Sequence, residues 1–367
     1  MVGARGIARI GLLAVGLGIG AAVAVAPGSA SADPSSAWLS DLFGGLSIPA
    51  SAPSTLDFQI SIDGKDLFST TGNEATATSG TGDIAIAYGD GANASATGGA
   101  GDFAYAQGSN AFATAGGLST DTGANNDTAI DIGDNDAQTL GTQPDGAAAG
   151  NADLVGTVGG ATGSNDTAID IGNNTSDNGI GGYDGAFAGA APLYTESGNG
   201  NGDTAIDIGN NSGYGDGSFA VLGNNNYASD SGSNTGFLEG AYSAAGNGNV
   251  ALDDTSYTTY GQAFAGEGND NVADVLGPDN SVAVAGGGHD IAYVLDPFGT
   301  TASTALSGAG SNGGSGIYDL AAVLFTDGTA NATNGDYLYD IVSALGNESG
   351  TAASTSATLL GELASLF

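Results

Sequence analysis

The residues with the clearest capacity for chemistry are aspartates in a repeated octapeptide. NDTAIDIG occupies 126–133 and 165–172, and GDTAIDIG occupies 202–209. Carboxylate oxygens are the ligands that Ca²⁺ prefers in proteins. The two aspartates of each copy are therefore candidate calcium ligands: Asp127, Asp131, Asp166, Asp170, Asp203 and Asp207.

A second pattern adds two aspartates to these candidates. AGEGNDNVA at 265–273 approaches the nonapeptide G-G-x-G-x-D-x-U-x, whose turns hold Ca²⁺ in parallel β-rolls. Its aspartate is Asp270, and GGGHD at 286–290 repeats the Gly-x-Gly-x-Asp part with Asp290. The copies are not in tandem, so solvated aspartates that stabilise turns are the alternative to calcium ligands.

Strand alternation predicts which face each octapeptide residue occupies. Ile130 and Ile132 share one face and Asp131 takes the other. Because an unpaired carboxylate is costly to bury, we expect the isoleucines inside and the aspartate in solvent. The same is expected of the equivalent residues Ile169, Asp170, Ile171, Ile206, Asp207 and Ile208.

The ends of the octapeptide have the character of turns. Asp127 and its equivalents should lie in the turn before the strand and accept hydrogen bonds from backbone N–H groups. The closing glycines should need a positive φ, namely Gly133, Gly172 and Gly209. The copies start 39 and 37 residues apart, close to two units of about twenty residues. Equivalent aspartates are therefore expected about 10 Å apart, on every second coil.

Few residues could support catalysis. The chain has no cysteine and one histidine, His289, whereas nucleophilic catalysis needs a base beside its nucleophile. Asp253–Asp254 and His289–Asp290 are the adjacent carboxylate-bearing pairs that a polysaccharide-active enzyme could use. We therefore expect no enzymatic activity, with a polysaccharide-active solenoid enzyme as an alternative.

The charge balance limits the partners. The chain has 40 acidic residues against three Lys and Arg, a formal charge of −37. Phosphate binding needs Lys and Arg, so nucleic acid is not expected as a partner, and anionic membrane surfaces are disfavoured. Basic proteins, glycans and divalent cations are the expected partners. Without disulfides, the fold must depend on backbone pairing and burial, with Ca²⁺ as the one cofactor considered.

The N-terminus has the layout of a secretory signal. Two arginines, Arg5 and Arg9, precede an apolar run, and Ala30-Ser31-Ala32 provides the small residues of a cleavage site. Cleavage after Ala32 would leave Lys65 as the single cation beside the 40 acidic residues, a formal charge of −39. We expect a secreted or cell-surface protein with no membrane span after cleavage.

Short alternating segments recur along the chain. In 71–117 they are ATAT, IAIAY, ASAT, FAYAQ and AFATA, separated by Gly, Asn and Asp. Alternation indicates strands, and the separating residues indicate tight turns. Two strands form a unit with the halves A-x-A-x-G and [ND]-x-A-x-x-x, and such a unit buries its apolar side only by stacking. The prediction is an all-β parallel β-solenoid (β-helix or β-roll) of about 20-residue coils with short terminal caps, with a β-sandwich as the alternative.

The domain boundaries follow from these patterns. Residues 1–32 are predicted as the signal peptide and 33–70 as an N-terminal segment and cap. The solenoid repeats are predicted over 71–345, irregular at 210–246. Residues 346–367 form a predicted amphipathic cap, because apolar residues follow helical spacing there.

Two families share parts of these patterns. IAIAYGDGANASATGGAGDFAYAQGSNAFATAGG at 84–117 resembles the head repeats of trimeric autotransporter adhesins. The signal ending SASADP, the Gly, Ala and Asn richness and the lack of cysteine resemble exported mycobacterial proteins, including the glycine-rich PE-PGRS group. The resemblance implies a secreted or envelope protein with an exposed repeat surface. Structural or adhesive function is expected, with a calcium-binding β-roll that folds after export as the alternative.

Overall fold

The computed structural model describes the chain in ranges separated by gaps. These ranges are 57–70, 72, 74–116, 124–135, 146–151, 163–174, 184–190, 200–212, 216–232, 234, 240–254, 261–276, 281–295, 303–307, 320–323, 328–332, 339–342 and 350–353. The predicted signal peptide and most of the C-terminal cap lie outside the described residues. No helix in these ranges is long and apolar enough to cross a membrane.

The described residues form strands in two large sheets, which confirms the predicted parallel β-solenoid. Sheet A contains 13 of these strands, in the spatial order β2, β1, β4 and then every even-numbered strand to β24. Its strands are β1 (Phe58–Ile62), β2 (Lys65–Ser69), β4 (Ile84–Tyr88), β6 (Phe103–Gln107), β8 (Thr128–Ile132), β10 (Thr167–Ile171), β12 (Thr204–Gly209), β14 (Tyr227–Gly232), β16 (Val250–Asp254), β18 (Val272–Leu276), β20 (Ile291–Leu295), β22 (Leu320–Val323) and β24 (Tyr339–Val342).

Sheet B contains the other 12 described strands, which are the odd-numbered strands from β3 to β25 in sequence order. They are β3 (Thr76–Ser79), β5 (Asn93–Ala96), β7 (Phe112–Ala115), β9 (Gly146–Asn151), β11 (Gly185–Ala190), β13 (Gly217–Asn224), β15 (Gly240–Asn247), β17 (Gly261–Asn269), β19 (Ser281–Gly288), β21 (Ser303–Ser307), β23 (Gly328–Ala332) and β25 (Gly350–Ala353). Each coil thus adds one strand to each sheet.

A hairpin closes the N-terminal end of sheet A. The β1 strand pairs antiparallel with β2 on one side and with β4 on the other, whereas the pairs from β4 onward are parallel. The outer strand β2 exposes Lys65, Asp66 and Leu67. Charged side chains on an edge strand oppose pairing with another chain.

The three octapeptides lie on consecutive coils. The β10 strand pairs with both β8 and β12, and Thr167 lies opposite Thr128 and Thr204. The expected spacing of two coils, about 10 Å, is therefore wrong. The 39 residues between equivalent positions therefore correspond to one coil, and the strand register is kept from Thr128 to Thr167.

Alanine fills the space between the two sheets. Inward-facing alanines from both sheets form one continuous cluster, and most of them have no exposed surface. Ala129, Ala168 and Ala205 contribute the octapeptide methyl groups. An interior built from methyl groups leaves less room than the roughly 10 Å between ordinary stacked sheets. Val275 and Val294 are the larger members of this cluster, and the isoleucines of the octapeptides alternate with the inward-facing alanines and point outward.

Aromatic rings stack along the outer face of sheet B. The Phe187 and Phe219 rings lie 5.0 Å apart at 7°, and the Phe219 and Tyr242 rings lie 4.9 Å apart at 2°. Parallel register places these residues directly above one another. The rings therefore follow the spacing of the strands, and both phenylalanines are buried.

Candidate functional site

A three-residue turn precedes each described parallel strand of sheet A from β4 to β20. Its third residue is Asp or Asn, and each of these side chains is at most 2% exposed. The Oδ1 atom accepts the backbone N–H of the equivalent residue in the next coil, at 2.7 to 3.2 Å. We call this set the inner ladder: Asp83, Asp102, Asp127, Asp166, Asp203, Asn226, Asn249, Asn271 and Asp290.

The inner ladder confirms one expectation and extends it. Asp127 and Asp166 do accept backbone N–H bonds at the strand entry, as predicted. The donors belong to the next coil, so these bonds join coils as well as shaping a turn. Sequence reasoning missed Asp83 and Asn226 as members, although the [ND]-x-A half of the repeat contains the signal.

The second residue of the same turn often has a left-handed backbone. Asn126, Asn165, Asp270 and His289 have φ between 57° and 65°. Asp270 therefore occupies a different turn position from the buried Asp290. Its carboxylate is exposed and lies 3.5 Å from the His289 Nδ1. The two aspartates of the nonapeptide-like stretches are thus not equivalent in the fold.

A second buried row of aspartates lies near the C-terminal ends of sheet A strands. We call this set the strand-end row: Asp131, Asp170, Asp207, Asp230 and Asp253, each at most 1% exposed. In four coils, an asparagine four residues later donates to the aspartate, as Asn135 does to Asp131 at 2.8 Å. Asn174, Asn211 and Asn234 make the equivalent bonds.

The strand-end row corrects the predicted face of the octapeptide. Asp131, Asp170 and Asp207 have no exposed surface, whereas Ile171 is 41% and Ile208 is 48% exposed, although Ile130 on the outward face is covered and only 3% exposed. The narrow alanine interior excludes isoleucine, and the amide donors compensate part of the cost of burying a carboxyl group. The expectation of isoleucines inside and aspartates in solvent is therefore wrong.

The closing glycines of the octapeptide also differ from the expectation. Gly133, Gly172 and Gly209 are not in the left-handed region. Glycine is required there because the next coil approaches too closely for a side chain. A Cβ on Gly172 would lie 2.5 Å from the carbonyl carbon of Gly209.

Burial changes the acidity of the ladder carboxyls. It raises the pKa of Asp127 and Asp166 to about 8 and that of Asp203 to about 7. In the strand-end row, burial and then the neighbouring carboxyls of Asp170 and Asp230 raise the pKa of Asp207 well above its usual value. Backbone N–H donors lower the pKa of the three ladder carboxyls without offsetting burial.

The predicted calcium ligands fall into separate groups. Asp127 immediately precedes β8 and Asp131 lies near the C-terminal end of this strand. Four residues of extended chain, roughly 13 Å, therefore separate the two aspartates. They cannot bind one ion together. Neighbours within one row, such as Asp127 and Asp166, are the residues that could share a cation. The described residues bring no three Asp, Glu or His side chains together in a metal-binding geometry.

The catalytic pairs considered from the sequence are also separated. Asp253 is buried, whereas Asp254 is exposed and accepts a hydrogen bond from the Ser231 Oγ at 2.8 Å. Their side chains lie on opposite faces of β16, as strand geometry requires. Similarly, His289 is exposed and Asp290 is buried.

One open groove follows the turns that leave sheet A. Its volume is about 420 Å³, and its lining includes Asp57, Tyr88, Asp90 and Asp134. A hydrogen bond to Asp90, then the charges of Asp90 and Asp57, raise the pKa of the neighbouring Glu74. Several carboxyl groups therefore surround an exposed aromatic ring.

The exposed apolar side chains are distributed asymmetrically. Six large apolar residues are markedly exposed among the described residues, and all six belong to sheet A: Leu67, Tyr88, Ile171, Ile208, Leu276 and Ile291. At the ends of the sheet B strands β13 and β15, exposed asparagines bond from coil to coil, as Asn201 does to Asn224 at 2.9 Å and Asn224 to Asn247 at 2.7 Å. Sheet A thus exposes apolar side chains on several coils, and in one register column Ile171 and Ile208 are direct neighbours.

Comparison with known proteins gives no matching family model, no curated relative and no similar solved structure. The function of the protein is therefore inferred from its residues and their geometry.

Proposed function

We propose that the protein is a secreted or cell-surface structural or adhesive repeat protein without catalytic activity. The observation that carries this proposal is that the six markedly exposed large apolar residues of the described chain all lie on sheet A. A sheet face with exposed apolar side chains on several coils is suited to contact with an extended partner, because exposed apolar patches mark interaction sites. The formal charge of −37 favours a basic protein or a neutral glycan as that partner.

The location is tested first. Cells that express the native gene are separated into cytoplasm, envelope and medium, and intact cells are treated with protease. We expect the protein in the medium or on the surface, where protease removes it. Retention in the cytoplasm of intact cells would contradict the proposal.

The contact face is tested by adhesion. Cells with and without the gene are applied to surfaces coated with a basic protein or a neutral glycan. Ile171→Asp combined with Ile208→Asp should reduce adhesion severalfold, because it places two charges at neighbouring exposed apolar positions of sheet A. The matched control, Asn173→Asp with Asn210→Asp, adds the same charge two residues away on the adjoining turns. Equal adhesion of both double variants and the wild type would count against sheet A as the contact face.

A polysaccharide-active solenoid is the second candidate, favoured by the open groove. Aspartates beside an exposed tyrosine could hydrogen-bond and stack on a neutral sugar chain. The purified chain is incubated with xylan, β-glucan and galactomannan, and reducing ends are measured. Release that Asp90→Asn abolishes, with unchanged folding, would replace the adhesive proposal. Binding without release that Tyr88→Ala weakens would support a glycan as the adhesive partner.

A further inference from the structure

The inner ladder contains both Asp and Asn, although the two side chains differ in what they can donate. The Asn226 Nδ2 donates to the carbonyl oxygen of Val221 at 3.4 Å, and the Asn271 Nδ2 donates to that of Gly266 at 3.2 Å. Asn249 makes the equivalent bond to Ala244 at 3.5 Å. The acceptors belong to one register column of sheet B, which continues through Gly189 and Gly150. Each asparagine therefore donates to a fixed backbone position.

The second oxygen of an aspartate occupies the place of that amide nitrogen. A Cβ on Gly223, three residues before Asn226, would lie 2.8 Å from its Nδ2. A Cβ on Gly200, three residues before Asp203, would lie within 2.5 Å of both the Asp203 Oδ2 and the Gly189 carbonyl oxygen. The Asp203 Oδ2 thus faces the carbonyl that receives an N–H in the asparagine coils.

Asp166 repeats the arrangement. A Cβ on Gly163, three residues earlier, would lie within 3.0 Å of the Asp166 Oδ2 and of the Gly150 carbonyl oxygen. The Oδ2 atoms of Asp166 and Asp203 are buried and have no hydrogen-bond partner among the described residues. Two buried acceptor oxygens that face each other repel unless a proton or a cation lies between them.

Among the described residues, the surroundings of Asp166 and Asp203 contain no cationic side chain. The neighbouring strands β9 and β11 carry no titratable residue, and the facing glycines contribute backbone only. The titratable groups along β8, β10 and β12 are the ladder carboxyls and, roughly 13 Å away at the far strand ends, Asp131, Asp170 and Asp207. Lys65 is the one Lys or Arg in the described ranges, and it lies exposed in β2.

We propose that Asp166 and Asp203 are neutral carboxylic acids in the folded solenoid, and that each donates its proton to a backbone carbonyl as the ladder asparagines donate their amide hydrogen. Folding then takes up protons from solution. The protein is consequently a proton-dependent solenoid, more stable in mildly acidic than in alkaline surroundings.

The sign of the pH dependence follows from burial. Burial raises the pKa of Asp166 from 3.8 to about 8 and that of Asp203 to about 7. The folded chain therefore binds more protons than the unfolded chain between these limits, and stability falls as pH rises. It should be greatest below about pH 4 for these groups and reach its lower level above about pH 8.

The test compares a ladder double variant, Asp166→Asn with Asp203→Asn, with the wild type. Thermal unfolding of the purified full chain is followed by circular dichroism from pH 5 to pH 8.5 in EDTA. We expect the wild-type Tm to fall by at least about 5 °C, and the fall in the ladder double variant to be smaller but not absent, because the pKa values of Asp127 and Asp207 stay raised. The control, Asp134→Asn with Asp254→Asn, makes the same two Asp-to-Asn changes at exposed positions and should follow the wild type.

Infrared spectroscopy supplies a readout that does not depend on stability. The C=O stretch of a protonated carboxyl group should be present in the folded wild type at pH 6 and weaker in the ladder double variant. Its absence from the wild type would overturn the proposal, as would a Tm independent of pH. Calcium that restores the wild-type Tm at pH 8.5, but not that of the variant, would assign the position to a cation instead.

Discussion

The glycine column offers the most direct test of how closely the coils stack. In Gly172→Ala, the new Cβ would lie 2.5 Å from the carbonyl carbon of Gly209, and the obstructing atoms are backbone. The Gly209 carbonyl oxygen lies closer still, and ordinary contact needs about 3.5 Å, so the two coils must separate by about 2 Å. That movement breaks bonds between these two coils, including those from the Asn211 N–H to the Asn173 carbonyl oxygen and from the Asn173 N–H to the Asn210 Oδ1, each 3.0 Å long.

The expected cost follows from these bonds. Two or three hydrogen bonds at about 1 kcal/mol each give a loss of about 3 kcal/mol in the free energy of unfolding. Gly82→Ala is the control, because its added Cβ meets nothing closer than 3.8 Å although its φ is +85°. Left-handed backbone alone costs alanine about 1 kcal/mol. Gly172→Ala should therefore be the more damaging change.

Hydrogen exchange measured by mass spectrometry is the suitable assay, because a solenoid need not unfold in one step. Peptides covering β10 and β12 should exchange about 100-fold faster in Gly172→Ala, corresponding to about 3 kcal/mol. In Gly82→Ala, the peptides covering the adjacent strands β4 and β6 should change less than tenfold. If Gly82→Ala loosened the coils more than Gly172→Ala, close approach would not be the reason for the glycine column.

Four further changes test the interior and its faces. Phe219→Ala should lower stability by about 3 kcal/mol and reduce the near-ultraviolet dichroism, because it interrupts the stacked rings. Ala205→Leu should cost at least about 2 kcal/mol in thermal unfolding, because no room exists between the sheets. Ile208→Thr should change stability by less than about 0.5 kcal/mol, since its side chain is exposed, and a large loss would restore the isoleucine-inside interpretation. Asn226→Asp should lower the Tm at pH 8.5 but not at pH 5, by adding another ladder carboxyl.

Much of the architecture could be predicted from local patterns. Alternation in IAIAY and FAYAQ predicts β4 and β6, and the spacing of such segments predicts stacked coils. These predictions succeed because strand alternation and turn chemistry act over a few residues. The role of Asp127 as a backbone acceptor was predictable for the same reason.

The sequence by itself therefore determined the strands, the repeat and the acidic, nearly cation-free character of the chain. The tertiary structure decided which face is inside, because the distance between the sheets admits Ala168 but excludes Ile169 and Ile171. It also decided that Asp170 is buried, because an amide donor from Asn174 meets it only in the folded coil. Strand alternation divides the residues between two faces but does not determine which face is inside. The short distance to the opposite sheet determines that.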